Sequence, residues 1–313
     1  MLTLHRGCFH RDINIVNILI LGKGYVGSAL HESMHVDDSW SVTWLSKADK
    51  SYDDRNTFIN ILNESNYDVV INASGYTGRP NVDACETNID DTWYYNVVVP
   101  GMLADVCNLF EVEFVQISSG CIYDGYEKAF DEWDEPNFGI PCIRSSWYSK
   151  TKHAGELALL GTNAVILRIR MPFCETTSER NVIMKLLKYN NIINQENSVT
   201  NIEDLVEFIT SLIKATAFYG AGNQSNILNV VNPQPIKTED IINMLKEYDI
   251  ENPKWNFIDL DELLEKHTTT GRSNCVLSSE SIEKMGFALP DTMKSLERCV
   301  RSIKDEMADK NLH

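Results

Sequence analysis

The chain has 313 residues, 43% of them hydrophobic and 23% charged, the balance of a soluble globular protein and not of a fibrous or disordered one. Lys and Arg number 28 against 45 Asp and Glu, a formal net charge of -17, which repels nucleic-acid phosphates and anionic bilayers and so argues against either as a partner. An anionic small ligand would have to be held by a few local cations. The length suits two domains, or one large α/β domain with a smaller appended part.

Eight cysteines occur with no CxxC pair and no His cluster at metal-ligand spacing, so we expect a reduced, cytoplasmic protein without a metal. No apolar run reaches the length of a bilayer span, and the N-terminus lacks the apolar core of a signal peptide. Residues 1–12 carry His5, Arg6, His10 and Arg11 with one acid; they read as a ragged extension, with a transit segment as the alternative.

In chain order, Ile13–Leu21 is an almost continuous apolar run stopping at glycine, as a strand buried on both sheet faces would be. Further strands are expected at Ser41–Leu45, Asp68–Asn72, Glu113–Ser118 and Val165–Arg170, separated by stretches long enough for helices. This β-α rhythm predicts a Rossmann-type doubly wound parallel sheet. After Pro172 the rhythm breaks: helical patterns near 181–190 and 202–217, a lone strand at Asn226–Val231, a helix N-capped near Thr238 and a last helix from about Asp291. We therefore divide the chain at 13–172, a cofactor-binding domain, and 173–313, a smaller, mainly helical substrate domain with some segments crossing back.

Gly22-Lys-Gly24-Tyr25-Val26-Gly27 follows a strand and opens a helix. In that context the first glycine makes a tight turn, the second clears the path of a pyrophosphate and the third lets helix and strand pack closely. At the end of the second strand, where an acid would bind the ribose hydroxyls of NAD, stand Ser46 and Lys47. A hydroxyl and a cation suit the extra phosphate of NADPH, although a merely solvated strand end would look the same. Tyr148 and Lys152, four apart, share a helix face, where the ammonium should lower the phenol's pKa toward use near neutrality. Ser119, at a strand end, offers a second hydroxyl to a substrate carbonyl.

Glycine loop, strand-end Ser and YxxxK together resemble the short-chain dehydrogenase/reductase superfamily. Asn72-Ala73-Ser-Gly75 is similar to its cofactor wall, with Ala73 and Gly75 facing the cofactor, and Asn96 matches its structural asparagine. Three further stretches, Asn72–Asp83 with its TGRPNVD run, Ser119-Gly-Cys121-Ile-Tyr123 and Arg168-Ile-Arg-Met-Pro172, resemble the bifunctional nucleotide-rhamnose synthases, which are 3,5-epimerases and 4-keto reductases. The similarity runs from the glycine loop to Gly271-Arg-Ser-Asn274, nearly the whole chain. The departures are Ser118-Ser119 where that family commonly has Ala-Thr, and Gly271 where it has Pro; Ser still supplies the hydroxyl.

The resemblance implies that UDP-4-keto-6-deoxy-D-glucose is converted to UDP-β-L-rhamnose. Ser119 and Tyr148 would bind the C4 oxygen, Cys121 and Lys185 would move protons at C3 and C5, and NADPH would then reduce C4, with Lys152 holding the Tyr and the nicotinamide ribose. On an extended segment Cys121 would project to the same side as Ser119; without that context one cysteine of eight is usually core filler. Lys188 competes with Lys185, and we read it as a surface lysine. Arg272 is the candidate grip on the diphosphate, while Arg79, Asn81 and Asn181 would flank the sugar; either arginine could instead form a structural ion pair. The superfamily's habit implies a homodimer through helices near 90–109 and 148–160. The alternatives are a monofunctional 4-keto reductase, a GDP-fucose-synthase-like enzyme, or a catalytically silent regulatory subunit of the same fold.

Overall fold

The computed structural model describes residues 15–215 and 226–311; the expected extension at 1–12 and the first two residues of the Ile13–Leu21 run lie outside them. In chain order the elements begin β1 (Val16–Leu21), α1 (Tyr25–Met34), β2 (Trp40–Leu45), α2 (Arg55–Glu64) and β3 (Val69–Asn72). A helical stretch follows, made of α3 (Ile89–Trp93), a π turn (Tyr94–Val98) and α4 (Val99–Leu109). Then come β4 (Glu113–Ser119), β5 (Gly125–Phe130), α5 (Trp147–Leu157), β6 (Val165–Ile169) and α6 (Val182–Lys188). The remainder is β7 (Asn191–Ile192), β8 (Glu196–Asn197), α7 (Ile202–Lys214), β9 (Asn226–Asn229), β10 (Ile236–Lys237), α8 (Thr238–Glu247), β11 (Asn256–Phe257), α9 (Leu260–Lys266), β12 (Cys275–Leu277), α10 (Glu280–Lys284) and α11 (Thr292–Asn311).

Six strands form one parallel sheet in the order β2-β1-β3-β4-β6-β9. Helices cover both faces, which is why its strands read as continuous apolar runs. In β1, Ile18 and Ile20 join one core with α1 and α7, whereas Leu19 and Leu21 join the other with α2 and α4. Alternation along the strand thus sends every second side chain to the opposite face. A separate core gathers Ile183 and Leu186 of α6, Ile241 and Leu245 of α8, and Leu296, Val300 and Ile303 of α11.

Two sequence expectations change in detail. β9 is not a lone strand, because it pairs with β6 at the sheet edge. Thr238 is the first residue of α8 and not its cap: Lys237 is the N-cap, and its N–H donates to Asp240 Oδ2 at 2.8 Å.

From β1 the chain crosses to β2 on one side of the sheet and then to β3 on the other. That reversal leaves a crevice at the carboxyl ends of β1 and β3, the place where open α/β sheets bind ligands. Both the glycine loop and the Asn72–Gly75 segment leave the sheet there.

Candidate active site

The glycine loop is shaped by close approach. Gly22 has φ +103° and lies under Ser74, where an added Cβ would come within 2.9 Å of backbone. A Cβ on Gly27 would meet Gly22 O at 1.9 Å, so α1 packs against the turn with no room for a side chain. A Cβ on Gly24 would instead enter open space. That opening, over the first turn of a ten-residue helix whose leading N–H groups have no helical acceptor, is a cradle fitted to a dinucleotide's diphosphate.

Tyr25 and Val26 contribute to this cradle through their backbone, because their side chains pack into the sheet's core. The Tyr25 hydroxyl is buried beside Cys174, and burial pushes it well above the usual phenol range. Trp44 pins the loop from behind by donating Nε1–H to Gly22 O at 3.2 Å. Ala73 and Gly75 line the β3 exit, which is fixed by the buried Asn72 donating to Gln116 Oε1 at 2.8 Å and accepting from Ser74 Oγ at 2.6 Å.

Asn96 sits in the π turn and holds Tyr76 through both backbone groups, accepting from its N–H at 2.8 Å and donating to its carbonyl at 2.9 Å. It also donates to Thr151 Oγ1 at 3.1 Å. One side chain thereby ties the β3 exit to α5, the helix carrying Tyr148 and Lys152.

At the end of β2, Ser46 and Lys47 are already engaged within the protein. Asp49 accepts from the Ser46 hydroxyl at 2.8 Å and pairs with Lys23 at 2.9 Å, while Lys47 donates to the Tyr95 hydroxyl. A 2′-phosphate arriving here would compete with Asp49 for Ser46 and would draw Lys47 and Lys23 toward itself.

Five expected catalytic residues come together. β4 ends at Ser119, and α5, capped by Ser146, brings Tyr148 to it within hydrogen-bond reach. Burial raises the Tyr148 hydroxyl above its ordinary value, the neighbouring Cys121 adds to this, and the Ser119 hydrogen bond opposes it. This corrects the expectation of a lowered phenol: Lys152 donates to Ile117 O at 3.3 Å, and desolvation decides the direction. A Tyr that keeps its proton is suited to donating it. Lys152 is pushed down to about 8 by burial, against the pull of Glu156 and Cys121.

Cys121 is half-buried and does not lie on an extended segment. The strand stops at Ser119, and the Cys121 N–H folds back onto Ser119 Oγ at 3.2 Å. The two side chains are neighbours through this local turn and not through strand alternation. Lys185 projects from α6, and its amine is lowered by burial and then by Arg180, while Cys121 pulls the other way. Lys188, one turn on, is exposed and pairs with Glu179 at 3.2 Å.

The expected sugar and diphosphate contacts fare differently. Asn181 is fully buried as the N-cap of α6: it accepts from Ile183 N at 3.1 Å and donates to the carbonyls of Cys174 and Thr176 at 2.9 and 2.8 Å. Both N–H donors are thus committed, so its place is structural and it is not a sugar contact. Arg272 is held by both oxygens of Asp83 at 2.9 Å, an ion pair closing the segment before β12 onto the TGRPNVD run. A diphosphate would have to displace that carboxylate. Asn81 caps the short turn Val82–Glu86 by accepting from Asp83 N at 2.9 Å, and Arg79 is exposed.

Three residues with a place in this site are not readable from the sequence. Arg180 donates to Thr77 Oγ1 at 3.0 Å and Gly78 O at 3.1 Å, which puts a cation beside Lys185. Glu156 accepts from Ser118 Oγ at 2.6 Å and from Arg168 Nη2 at 2.7 Å, locking β4, α5 and β6 together below the site. Arg170 donates toward Cys121 Sγ at 3.7 Å. The Arg-x-Arg spacing was visible in the sequence, but its partners are far away along the chain.

The RmlD substrate-binding domain family model matches residues 16–303. The chain belongs to this family. A bifunctional dTDP-4-dehydrorhamnose 3,5-epimerase/dTDP-4-dehydrorhamnose reductase of Arabidopsis thaliana is 29% identical over 297 residues, covering 92% of each chain. A trifunctional UDP-glucose 4,6-dehydratase/3,5-epimerase/UDP-4-keto-L-rhamnose-reductase of the same plant is 34% identical over 225 residues, 69% of this chain. The match takes up 32% of that relative, so the chain corresponds to about a third of it. Among solved structures, the UDP-rhamnose synthase of Acanthamoeba polyphaga mimivirus superimposes with a TM-score of 0.81 at 23% identity, covering 92% of this chain and 99% of that one. A dTDP-4-dehydrorhamnose reductase from Bacillus anthracis in complex with NADP gives 0.74 at 19% identity, covering 93% and 99%. Both carry the Rossmann-like parallel-sheet fold described above.

Proposed function

We propose that the protein is an NADPH-dependent reductase of a nucleotide 4-keto-6-deoxy sugar that first epimerises its substrate at C3 and C5, making UDP-β-L-rhamnose from UDP-4-keto-6-deoxy-D-glucose. The observation that carries this reading is the convergence of Ser119, Tyr148 and Lys152 with a second acid/base pair, Cys121 and Lys185, at one end of the sheet. A 4-keto group makes the hydrogens on its two neighbours acidic, because the carbanion spreads onto oxygen as an enolate. Ser119 and Tyr148 donate hydrogen bonds to that oxygen where charge develops. Cys121 and Lys185 exchange protons at the two carbons, one as base and the other as acid on the opposite face; burial and then Arg180 lower the Lys185 amine, which eases its loss of a proton.

NADPH, when bound, supplies the hydride for C4. Tyr148, kept protonated by its surroundings, gives its proton to the new hydroxyl, and Lys152 holds it in place. Epimerisation precedes reduction, since reducing the ketone removes the acidity that proton exchange requires. The glycine cradle, Ala73 and Gly75 would hold the cofactor, with Ser46 and Lys47 at its 2′-phosphate. Arg79 and Arg272 remain our candidates for the substrate's sugar and diphosphate, with Asp83 as the carboxylate to be displaced.

We further infer a homodimer through the face made by α3, the π turn and α5. Trp93, Tyr94, Val98 and Leu157 are exposed there at 41%, 38%, 44% and 46%, and Trp93 stacks on Trp147 at 6.0 Å; water-facing aromatics of that kind suit a second copy. No helix among the described residues is long and apolar enough to cross a membrane; we place the protein in the cytoplasm on its cysteine usage in the sequence, with eight cysteines and no CxxC pair.

The test is turnover in heavy water with NADPH and UDP-4-keto-6-deoxy-D-glucose. Deuterium is expected at C3 and C5 of a UDP-rhamnose product. Label at neither carbon with NADPH consumed would leave a plain 4-keto reductase, and no NADPH consumption with any 4-keto nucleotide sugar would favour a silent scaffold.

A further inference from the structure

Two buried arginines stand two positions apart at the end of β6, and their surroundings differ. Arg168 is bound by the Glu156 carboxylate and by the Tyr123 hydroxyl at 2.9 Å. Arg170 is 1% exposed and forms no ion pair with a carboxylate among the described residues. Its Nη1 donates to Ser273 Oγ at 2.8 Å, Gly120 O at 3.4 Å and Cys121 Sγ at 3.7 Å. Its Nη2 donates to Ser273 O at 2.7 Å and to Asn197 Oδ1. Its Nε is buried with no hydrogen-bond partner.

The oxygens on this guanidinium are all neutral. The cradle is also fixed: Ser273 Oγ gives its own hydrogen to Tyr123 O, and Asn197 Oδ1 also accepts from Cys275 N at 3.1 Å. Asp124, on the turn after Cys121, accepts from Asn274 N through Oδ1 at 2.8 Å and forms no ion pair with Arg170. A guanidinium cannot shed its charge, and burying one without an anion is costly. Among the groups its two Nη atoms reach, the sulfur of Cys121 is the one that can become an anion. Lys152, Lys185 and Tyr148 also face that sulfur, and Cys275 lies within the field of Arg170. A cation beside a cysteine favours the thiolate.

We propose that Arg170 is the positioning residue that readies Cys121, its unpaired charge drawing the sulfur into the reactive thiolate form and aiming it along the Nη1 direction. The proposal deepens the reading of Cys121 as an acid/base at the sugar and rests on it for its purpose, but not for its test. A thiolate so held is ready to take a proton from the carbon next to the ketone. Once protonated it is left as a thiol beside a cation, an arrangement that releases the proton readily for the next cycle, while the carbon is reprotonated from its opposite face.

The test is alkylation of Cys121 by iodoacetamide at neutral pH, without sugar or cofactor, followed by the mass of the peptide containing residue 121. Arg170→Gln is expected to slow this reaction by about tenfold or more, while Arg170→Lys, which keeps a charge, loses much less. Because Arg170→Gln could fail to fold, Asn197→Asp provides a second arm: it leaves Arg170 in place but gives it a carboxylate, and it should slow alkylation to a similar extent with the melting temperature maintained. Unchanged alkylation in folded Arg170→Gln or in Asn197→Asp overturns the proposal. So does equal slowing in the Lys and Gln variants, which would make packing and not charge the cause. If the parent enzyme leaves no deuterium in its product but alkylation still follows the charge at Arg170, the epimerase reading fails and this one stands.

Discussion

The tyrosine side and the sulfur side of the site are built on opposite electrostatic plans. Beneath Tyr148 and Lys152, every charge has a counter-charge or a fixed partner: Glu156 takes Arg168 and Ser118, and Arg168 reaches on to Tyr123. Beside Cys121, Arg170 stands without a carboxylate bound to it among the described residues, and Lys185 is a buried amine pushed toward its neutral form. A closed network holds geometry, which the proposed proton donation to a C4 alkoxide would need. An open one leaves charge available, which would suit a group proposed to gain and lose a proton in each cycle.

The largest effect should come from the closed side. Tyr148→Phe removes the proposed proton donor while leaving the cradle and Ser119 in place, so the reduction rate should fall by roughly 100- to 10,000-fold with NADPH affinity little changed. Stopped-flow NADPH oxidation beside a cofactor titration measures both. Reduction that survives in this variant would mean that the proton comes from elsewhere, and the contrast between the two sides would lose its first half.

Glu156→Gln should sharpen the comparison in two ways. It leaves Arg168 buried without its anion, a loss on the order of 3 kcal/mol, readable in urea unfolding. It also removes the charge that holds the Lys152 ammonium up. Lys152 is lowered to about 8, so its ammonium is present below that pH and lost as pH rises through it; reductase kcat/KM should therefore fall above about pH 8. In the Gln variant that fall should move to lower pH. The corresponding stability effect has the opposite sense: the folded value lies below the ordinary lysine value of 10.5, so Lys152 costs stability below about pH 8, and the cost is relieved as pH climbs toward 10.5. An unmoved pH profile would make Glu156 a brace with no bearing on Lys152.

The smallest effect is expected on α6. Lys188→Ala breaks an exposed pair with Glu179, a change of about 0–1 kcal/mol, and should leave both deuterium incorporation and reduction as they were, whereas Lys185→Ala should remove label from at least one carbon. Equal effects of the two would show that Lys185 owes nothing to its burial.

The β-α rhythm and the glycine spacing carried the fold in the sequence, because strand alternation and close backbone approach are local rules written residue by residue. The closeness of Ser119, Tyr148 and Lys152 was legible for the same reason, each placed by its element and its spacing. The cap formed by Asn181 was not, since a side chain that can bind a sugar hydroxyl can equally cap a helix, and for Arg272 the ion-pair partner Asp83 was not, since only the fold brings the two together. The phenol's direction was misread because a charge four residues away is visible in sequence and burial is not.

What the sequence determined by itself was therefore the sheet, the cofactor loop and the identities of the groups gathered at its edge. The tertiary structure decided how those groups are charged: it gave Arg168 a carboxylate from α5, left Arg170 with neutral oxygens and a sulfur, and buried Tyr148 and Lys185. The reason is that solvation and counter-ions depend on residues brought from 12 to 103 positions away along the chain, and local spacing holds no record of them.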